Sequence, residues 1–238
     1  HRDLHSFPTR RSSDLKHAIE AAVAVKDAIG GTVTILTMGN ALAGEMMRDG
    51  IAIGADKGVL VSDERMAGSD TLATGLVLAK AIEKLGGADL VFTGKRSTDG
   101  DTGQIPPAIA QRLGMALISY ANSVSVDGTT VTATRLNHDG IETVQAQLPA
   151  VVSVTEKSNT PRSPKIRGKM AAKKAVFDVW KVEDLGLDAA SVGKSGSATK
   201  VTELFAPEPN PVGVMIEGAT PADAAANLVK ELTAKNLL

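Results

Sequence analysis

The sequence has 238 residues, 43% of them hydrophobic, a formal net charge of −1 and no cysteine. That length can bury a sizeable core, while the near-neutral charge offers no electrostatic handle for nucleic acid. The lack of Cys excludes disulfides, thiol catalysis and iron–sulfur ligation by this chain, and suits a reducing compartment such as a bacterial cytoplasm.

The first stretch, HRDLHSFPTRRSSDL (1–15), has no helical or strand period and resembles translated sequencing-adapter sequence. It lacks the apolar core of a secretory signal and is set apart from the fold as a non-native-looking prefix. From Lys16 the pattern becomes regular. KHAIEAAVAVKDAIGG (16–31) predicts a helix stopped by Gly30 and Gly31. TVTILTMG (32–39) predicts a buried strand, and Asn40 a cap for the helix that follows. KGVLVS (57–62) is a strand; SDTLATGLVLAKAIEKLGG (69–87) is a helix with Asp70 as N-cap; ADLVFTG (88–94) is a strand; IPPAIAQRLG (105–114) is a helix. These strands are continuous apolar runs rather than alternating ones. They predict an α/β fold with a parallel, Rossmann-type sheet covered by helices on both faces.

Beyond about Tyr120 the pattern changes. TTVTATRLN, Asp139–Gly140 and IETVQAQLPAVVSV predict a β-hairpin extension followed by a strand. A Pro- and Lys-rich stretch (156–175) follows, and then a long C-terminal arm with linker-like KSGSATK and APEPNPVG. The arm ends in a helix begun by Thr220–Pro221. The expected division is an α/β domain over 16–180 and the arm over 181–238. No run of about 18 apolar residues marks a membrane span. Aromatics, at 3%, are too few for a single-stranded nucleic-acid platform. His1 and His5 lie in the prefix, and His17 and His138 alone make no metal site.

The informative loop is TGKRSTDGDTGQIPP (93–107), beyond the carboxyl end of a parallel strand, where α/β sheets bind ligands. Gly94, Gly100 and Gly103 let the backbone approach a ligand. Pro106 and Pro107 fit only a first helical turn, which puts the helix start near Gly103–Ile105. Amides at that start form an anion site. Ser97 and Thr102 add hydroxyls, and Asp99 and Asp101 suit ribose hydroxyls or an adenine amino group. The loop is neither a Walker A loop nor a GxGxxG fingerprint. The pattern alone leaves open a nucleotide site and a solvated connection rich in turn formers.

At these residues the chain resembles the beta subunits of electron transfer flavoproteins. Their signature G-K/R-x-x-x-D-G/D-D-x-x-Q reads here Gly94-Lys95-Arg96-Ser97-Thr98-Asp99-Gly100-Asp101-Thr102-Gly103-Gln104. The likeness continues through LPAVVSVTEKSNTPRSPKIRGKMAAKKA, VEDLG and GVMIEG. It departs at Thr160 and Ser163, where the family usually has Glu and Tyr, and at the paired prolines. The family's first strand and an Asn-Pro-Phe-Asp-type segment have no counterpart, and the resemblance therefore implies a sheet with exposed edges prone to aggregation.

The resemblance implies an electron carrier rather than an enzyme: a heterodimer with an alpha subunit. It would take electrons from dehydrogenases such as acyl-CoA dehydrogenases and pass them to a quinone oxidoreductase or another acceptor. It also allows flavin-based bifurcation with NADH. The alpha subunit would carry the main FAD, and this chain AMP or a second FAD. The implied nucleotide contacts are Thr37, Met38, Gly39, Arg96, Asp99, Gly100, Asp101, Thr102, Gly103, Gln104 and Ile105. The small residues of Asp99-Gly100-Asp101-Thr102 favour FAD slightly over AMP. NTPRSPKIRGKM (159–170) resembles the family's partner-recognition loop, with Ile166 as its apolar anchor among Pro161, Arg162, Lys165 and Arg167. Without the resemblance this stretch reads as a basic solvated linker. The competing functions are an adenine-nucleotide-binding sensor and an adenylating α/β enzyme. The enzyme would need a Ser-Gly-Gly-x-Asp-Ser loop, which is absent; the sensor leaves the hairpin and arm unexplained.

Overall fold

The β-branched run after Gly31 becomes the first strand of a layered α/β structure. The computed structural model describes residues 13–97, 100–203, 205, 208 and 213–238. In chain order they form α1 (Ser13–Ile29), β1 (Thr34–Met38), α2 (Ala43–Ile53), β2 (Lys57–Val61), α3 (Thr71–Lys84), β3 (Leu90–Gly94) and α4 (Ile105–Leu113). Then come β4 (Ala116–Asp127), β5 (Thr130–Asn137), β6 (Gly140–Gln147), β7 (Ala150–Val154), α5 (Ile166–Lys174), β8 (Asp178–Trp180), α6 (Gly193–Gly196) and α7 (Pro221–Ala234). The first helix begins at Ser13, inside the stretch read as prefix; residues 1–12 of that stretch lie outside the described residues. Asn40 does not cap α2. Its side chain accepts the amide of Leu42 in a local turn, and the helix starts at Ala43.

The strands divide into two sheets. β1, β2 and β8 form a parallel sheet in that order, with Thr34 opposite Lys57 and Val59 opposite Asp178. The second sheet has the order β3–β7–β4–β5–β6. Its β3, β7 and β4 run parallel, whereas β4, β5 and β6 are antiparallel and make the expected hairpin extension. Parallel pairing thus covers the helix–strand alternation, but β1 and β3 each end a sheet. Both are half-buried along their length rather than fully buried.

Alternation along the strands shows the two covered faces. Leu36 and Val91 pack with Ile82, Ile109 and Val151, under α3 and α4. Ile35 packs with Ile51 of α2 and Ala172 of α5, and Leu90 and Phe92 with Ala18 and Ala21 of α1. The two sheets therefore share one helical layer. β7 lies between β3 and β4 and is buried throughout, and each fully buried Val contributes roughly 1.5–3 kcal/mol by area removed from water. Close approach of α3 and α4 depends on Gly75, where a Cβ would lie 2.7 Å from that of Ala108. Asp70 caps α3 by accepting Ala73 N–H, and also accepts Thr199 N–H, which fastens the chain after α6.

One compact unit runs to Lys200 and a second spans Val201–Leu238. Residues 181–200, read from sequence as the start of the arm, pack in the first unit because Val182, Leu185 and Val192 fill a core cluster with Val61 and Val77. In the second unit, Thr220 and Asp223 close a capping box on α7, as Thr220–Pro221 predicts. Leu228 and Val229 on that helix are exposed. Among the described residues no helix is long and apolar enough to cross a membrane, and no three His, Asp or Glu side chains cluster to hold a metal.

Candidate nucleotide-binding rim

Within each sheet the parallel strands end on the same side. Thr37 and Met38 end β1, Gly39 follows, and the amide of Gly39 donates to Val61 O at the end of β2. Gly94 ends β3 and opens the loop to α4. Leu36, in the middle of β1, and Ile105, the first residue of α4, pack against the same cluster under α3 and α4.

Within the loop, Arg96 Nε pairs with Asp101 Oδ1 at 2.8 Å, and Asp101 N–H donates to Ser97 O. Asp101 has φ 48° and Gly103 φ 63°, both left-handed. Gly103 is followed by Gln104 in the right-handed helical region, a left-then-right order of the kind found in anion-binding nests, and the Gln104 amide donates to Thr102 Oγ1 at 3.5 Å. The prolines at 106 and 107 have no N–H, so the amide donors at this helix start end at Ile105. Gln104 is held from the side, its Oε1 accepting Thr71 Oγ1–H at 2.6 Å from the first residue of α3. Asp99, expected as a ligand contact, lies outside the described residues. Gly100, Asp101, Thr102 and Gln104 are exposed, while Gly103 and Ile105 are partly buried.

Two features of the rim were not read from the sequence. Tyr120 sits at φ 61° in a β4 irregularity between Ile118 and Ala121, pinned by its amide donating to the buried Ser153 Oγ. Its hydroxyl would lie 2.8 Å from a Cβ on Gly103, and Lys95 Nζ stands 5.1 Å from its ring centroid. Thr93 Oγ1, one residue before the loop, is buried with no hydrogen-bond partner among the described residues. A left-handed tyrosine leaves no trace in composition or periodicity. A nucleotide fits this rim chemically. It offers backbone amides at a helix start, the Thr37 and Thr102 hydroxyls, the Arg96–Asp101 pair and a left-handed Gly103. Cavities of about 320 Å³ between α1, α2 and 161–164, and about 370 Å³ between α1 and β4, are not lined by residues 94–105.

The neighbouring rim is locked by charge. Asp63, just after β2, accepts Arg65 Nε at 2.9 Å and the amides of Arg65 and Val182. The side-chain hydrogen bonds from Arg65 hold its carboxyl well below the usual range, against burial that raises it. A carboxylate depressed on folding stabilises above its unfolded pKa and loses that contribution as pH falls through the folded value. The urea midpoint should therefore drop from about pH 5 downward, and Asp63→Asn should be less stable near neutrality with a shallower acid decline.

The second predicted cluster lies apart, after β7. Pro161, Arg162 and Lys165 belong to an extended segment leading into α5, and Ile166 is the first residue of that helix with 80% of its surface exposed. Met170, one turn on, is also exposed. Lys165, Arg167 and Lys169 surround this apolar pair in the chain and are exposed as well.

Comparison with known proteins matches residues 13–185 to the electron transfer flavoprotein domain. The chain is 36% identical to the caffeyl-CoA reductase-Etf complex subunit CarD of Acetobacterium woodii over 97% of its length and 88% of that protein. It is 40% identical to the electron transfer flavoprotein subunit beta of Megasphaera elsdenii, covering 85% of this chain and 77% of the relative. It is also 40% identical to protein FixA of Bradyrhizobium diazoefficiens, covering 80% and 69%. The chain belongs to the electron transfer flavoprotein family, as a beta subunit.

Proposed function

We propose that this subunit holds an adenine nucleotide on the rim formed by Thr37–Gly39 and Arg96–Ile105, and pairs with an alpha subunit that carries the principal FAD. The observation that supports it most is the left-handed Gly103 followed by the right-handed Gln104, in the loop from the carboxyl end of a parallel strand to a helix start. The nucleotide is AMP or a second FAD. The absence of a side chain at Gly100 favours FAD, since a diphosphate can continue past it. Bound flavin would supply the electron chemistry, and this chain would supply binding and orientation. The exposed α7, in the C-terminal unit, is assigned to the alpha subunit. The exposed Ile166 among cations is assigned to a dehydrogenase with an apolar pocket and acidic rim. A relative that serves a caffeyl-CoA reductase complex supports an acyl-CoA oxidoreductase as that partner. A quinone oxidoreductase or another acceptor would receive the electrons, in the cytoplasm.

Co-expression with an alpha subunit should yield a one-to-one dimer by light scattering. Two flavins per dimer would assign FAD to this chain, and one flavin with AMP would assign AMP. Two separate monomers would contradict the pairing.

A further inference from the structure

The extended segment that presents Ile166 is not a free linker. It is bolted to α1, 142 positions away in sequence, at two points. At the first, Asn159 Nδ2 donates to His17 O at 2.9 Å, and its Oδ1 lies 3.0 Å from His17 Nδ1. At the second, Glu20 takes almost everything Arg162 can give. Its carboxylate accepts the Arg162 amide at 3.0 Å, Nε at 2.9 Å and Nη2 at 2.8 Å, while Asp27 accepts Nη1 at 2.6 Å. Glu20 is only 7% exposed. A carboxylate that far from water persists when it is paired and hydrogen-bonded, and a fork of N–H donors matched to two oxygens fixes geometry as well as charge. The hydrogen bonds it donates to Glu20, and then to Asp27, raise the Arg162 guanidinium above its ordinary pKa.

We propose that Glu20 is a positioning residue for partner docking: by gripping both the guanidinium and the amide of Arg162, it fixes the backbone of residues 157–165 and with it the outward pose of Ile166. Arg162 then belongs to the frame of the recognition segment rather than to the cations that meet the partner. Lys165 and Arg167 are left for that role. The inference rests on reading Ile166 as the dehydrogenase anchor. Pre-organisation of this kind lowers the ordering cost at docking and leaves events after docking alone.

The test uses the dimer with its alpha subunit and an acyl-CoA dehydrogenase reduced with butyryl-CoA. Glu20→Gln removes the charge and keeps the shape. It should raise the KM for the dimer about tenfold, the scale of one lost charge-assisted hydrogen bond, with kcat and flavin content unchanged. Amide exchange should quicken across 157–165 and remain as in the parent in β7. Arg162→Lys should give a smaller KM rise, and Glu20→Gln with Ile166→Ala should be no worse than Ile166→Ala alone. Should Glu20→Gln not fold, Arg162→Lys and the exchange pattern decide. An unchanged KM in Glu20→Gln and Arg162→Lys, with Ile166→Ala still raising it, overturns the positioning role. An Ile166→Ala dimer with parental KM overturns the anchor reading beneath it.

Discussion

Gly103→Val should strip the nucleotide from the rim while leaving the fold in place. Two independent costs act at this residue. Its φ of 63° is a conformation that L side chains adopt at about 1–2 kcal/mol, and a β-branched side chain tolerates it worst. A Cβ there also meets the Tyr120 hydroxyl at 2.8 Å. That hydroxyl is the far end of a side chain that is 41% exposed, so it can swing aside at small cost, and the backbone conformation is the larger of the two costs. If the loop escapes by giving up the left-handed conformation, the left-then-right order at 103–104 is lost. Because every 1.4 kcal/mol is tenfold in affinity, retained nucleotide per dimer should fall by about tenfold or more. The two costs are separable. Gly103→Ala combined with Tyr120→Phe removes the clash and keeps the backbone strain, so it should recover part of the nucleotide. Full retention in Gly103→Val, measured on the denatured supernatant, would remove this loop from the site.

Ile166→Asp is expected to cripple electron delivery from the dehydrogenase without disturbing the subunit. Ile166 is 80% exposed, so truncating it or charging it costs the fold within about 0.5 kcal/mol. An apolar side chain that exposed gains its burial only in a complex. Anchors of this kind carry about 2–4 kcal/mol, which corresponds to a roughly thirty- to thousandfold loss in affinity. Asp adds a charge that the partner pocket would have to desolvate, so it should exceed Ala. Stopped-flow reduction by the butyryl-CoA-reduced dehydrogenase reads this directly. Parental rates with both variants would move the anchor elsewhere on α5, with Met170 the next exposed apolar residue.

Most strands and helices were legible because they carry a largely apolar run or a helical stripe, as in AVVSV for β7 and LVFTG for β3, whereas β4 and α5, in ALISYANSVSVD and the Lys-rich IRGKMAAKK, were not read. The start of α4 at Ile105 was legible for a covalent reason, since Pro106 and Pro107 fit nowhere else in a helix. Pairing was less so. TILTM says that β1 is a strand, but nothing in those residues says that it closes a sheet of three with β2 and β8. β8 itself, three residues with one half-buried, has too little pattern to be seen. Asn40 illustrates a local competition: its side chain captures Leu42 N–H in a turn two residues on, which moves the helix start. The site divides similarly. The glycines and hydroxyls of 94–104 could be read directly, whereas the left-handed Tyr120 and the Glu20–Arg162 pairing arise from tertiary contacts that no short window contains.

The most direct measurement is the nucleotide itself. The dimer with the alpha subunit, purified without added cofactor, is denatured and its supernatant chromatographed. The account predicts an adenine nucleotide bound to this chain in stoichiometric amount, as AMP or as FAD beyond the single flavin of the alpha subunit, and its loss in Gly103→Val. A dimer that releases only the alpha subunit's flavin, with no further adenine nucleotide above background, contradicts it.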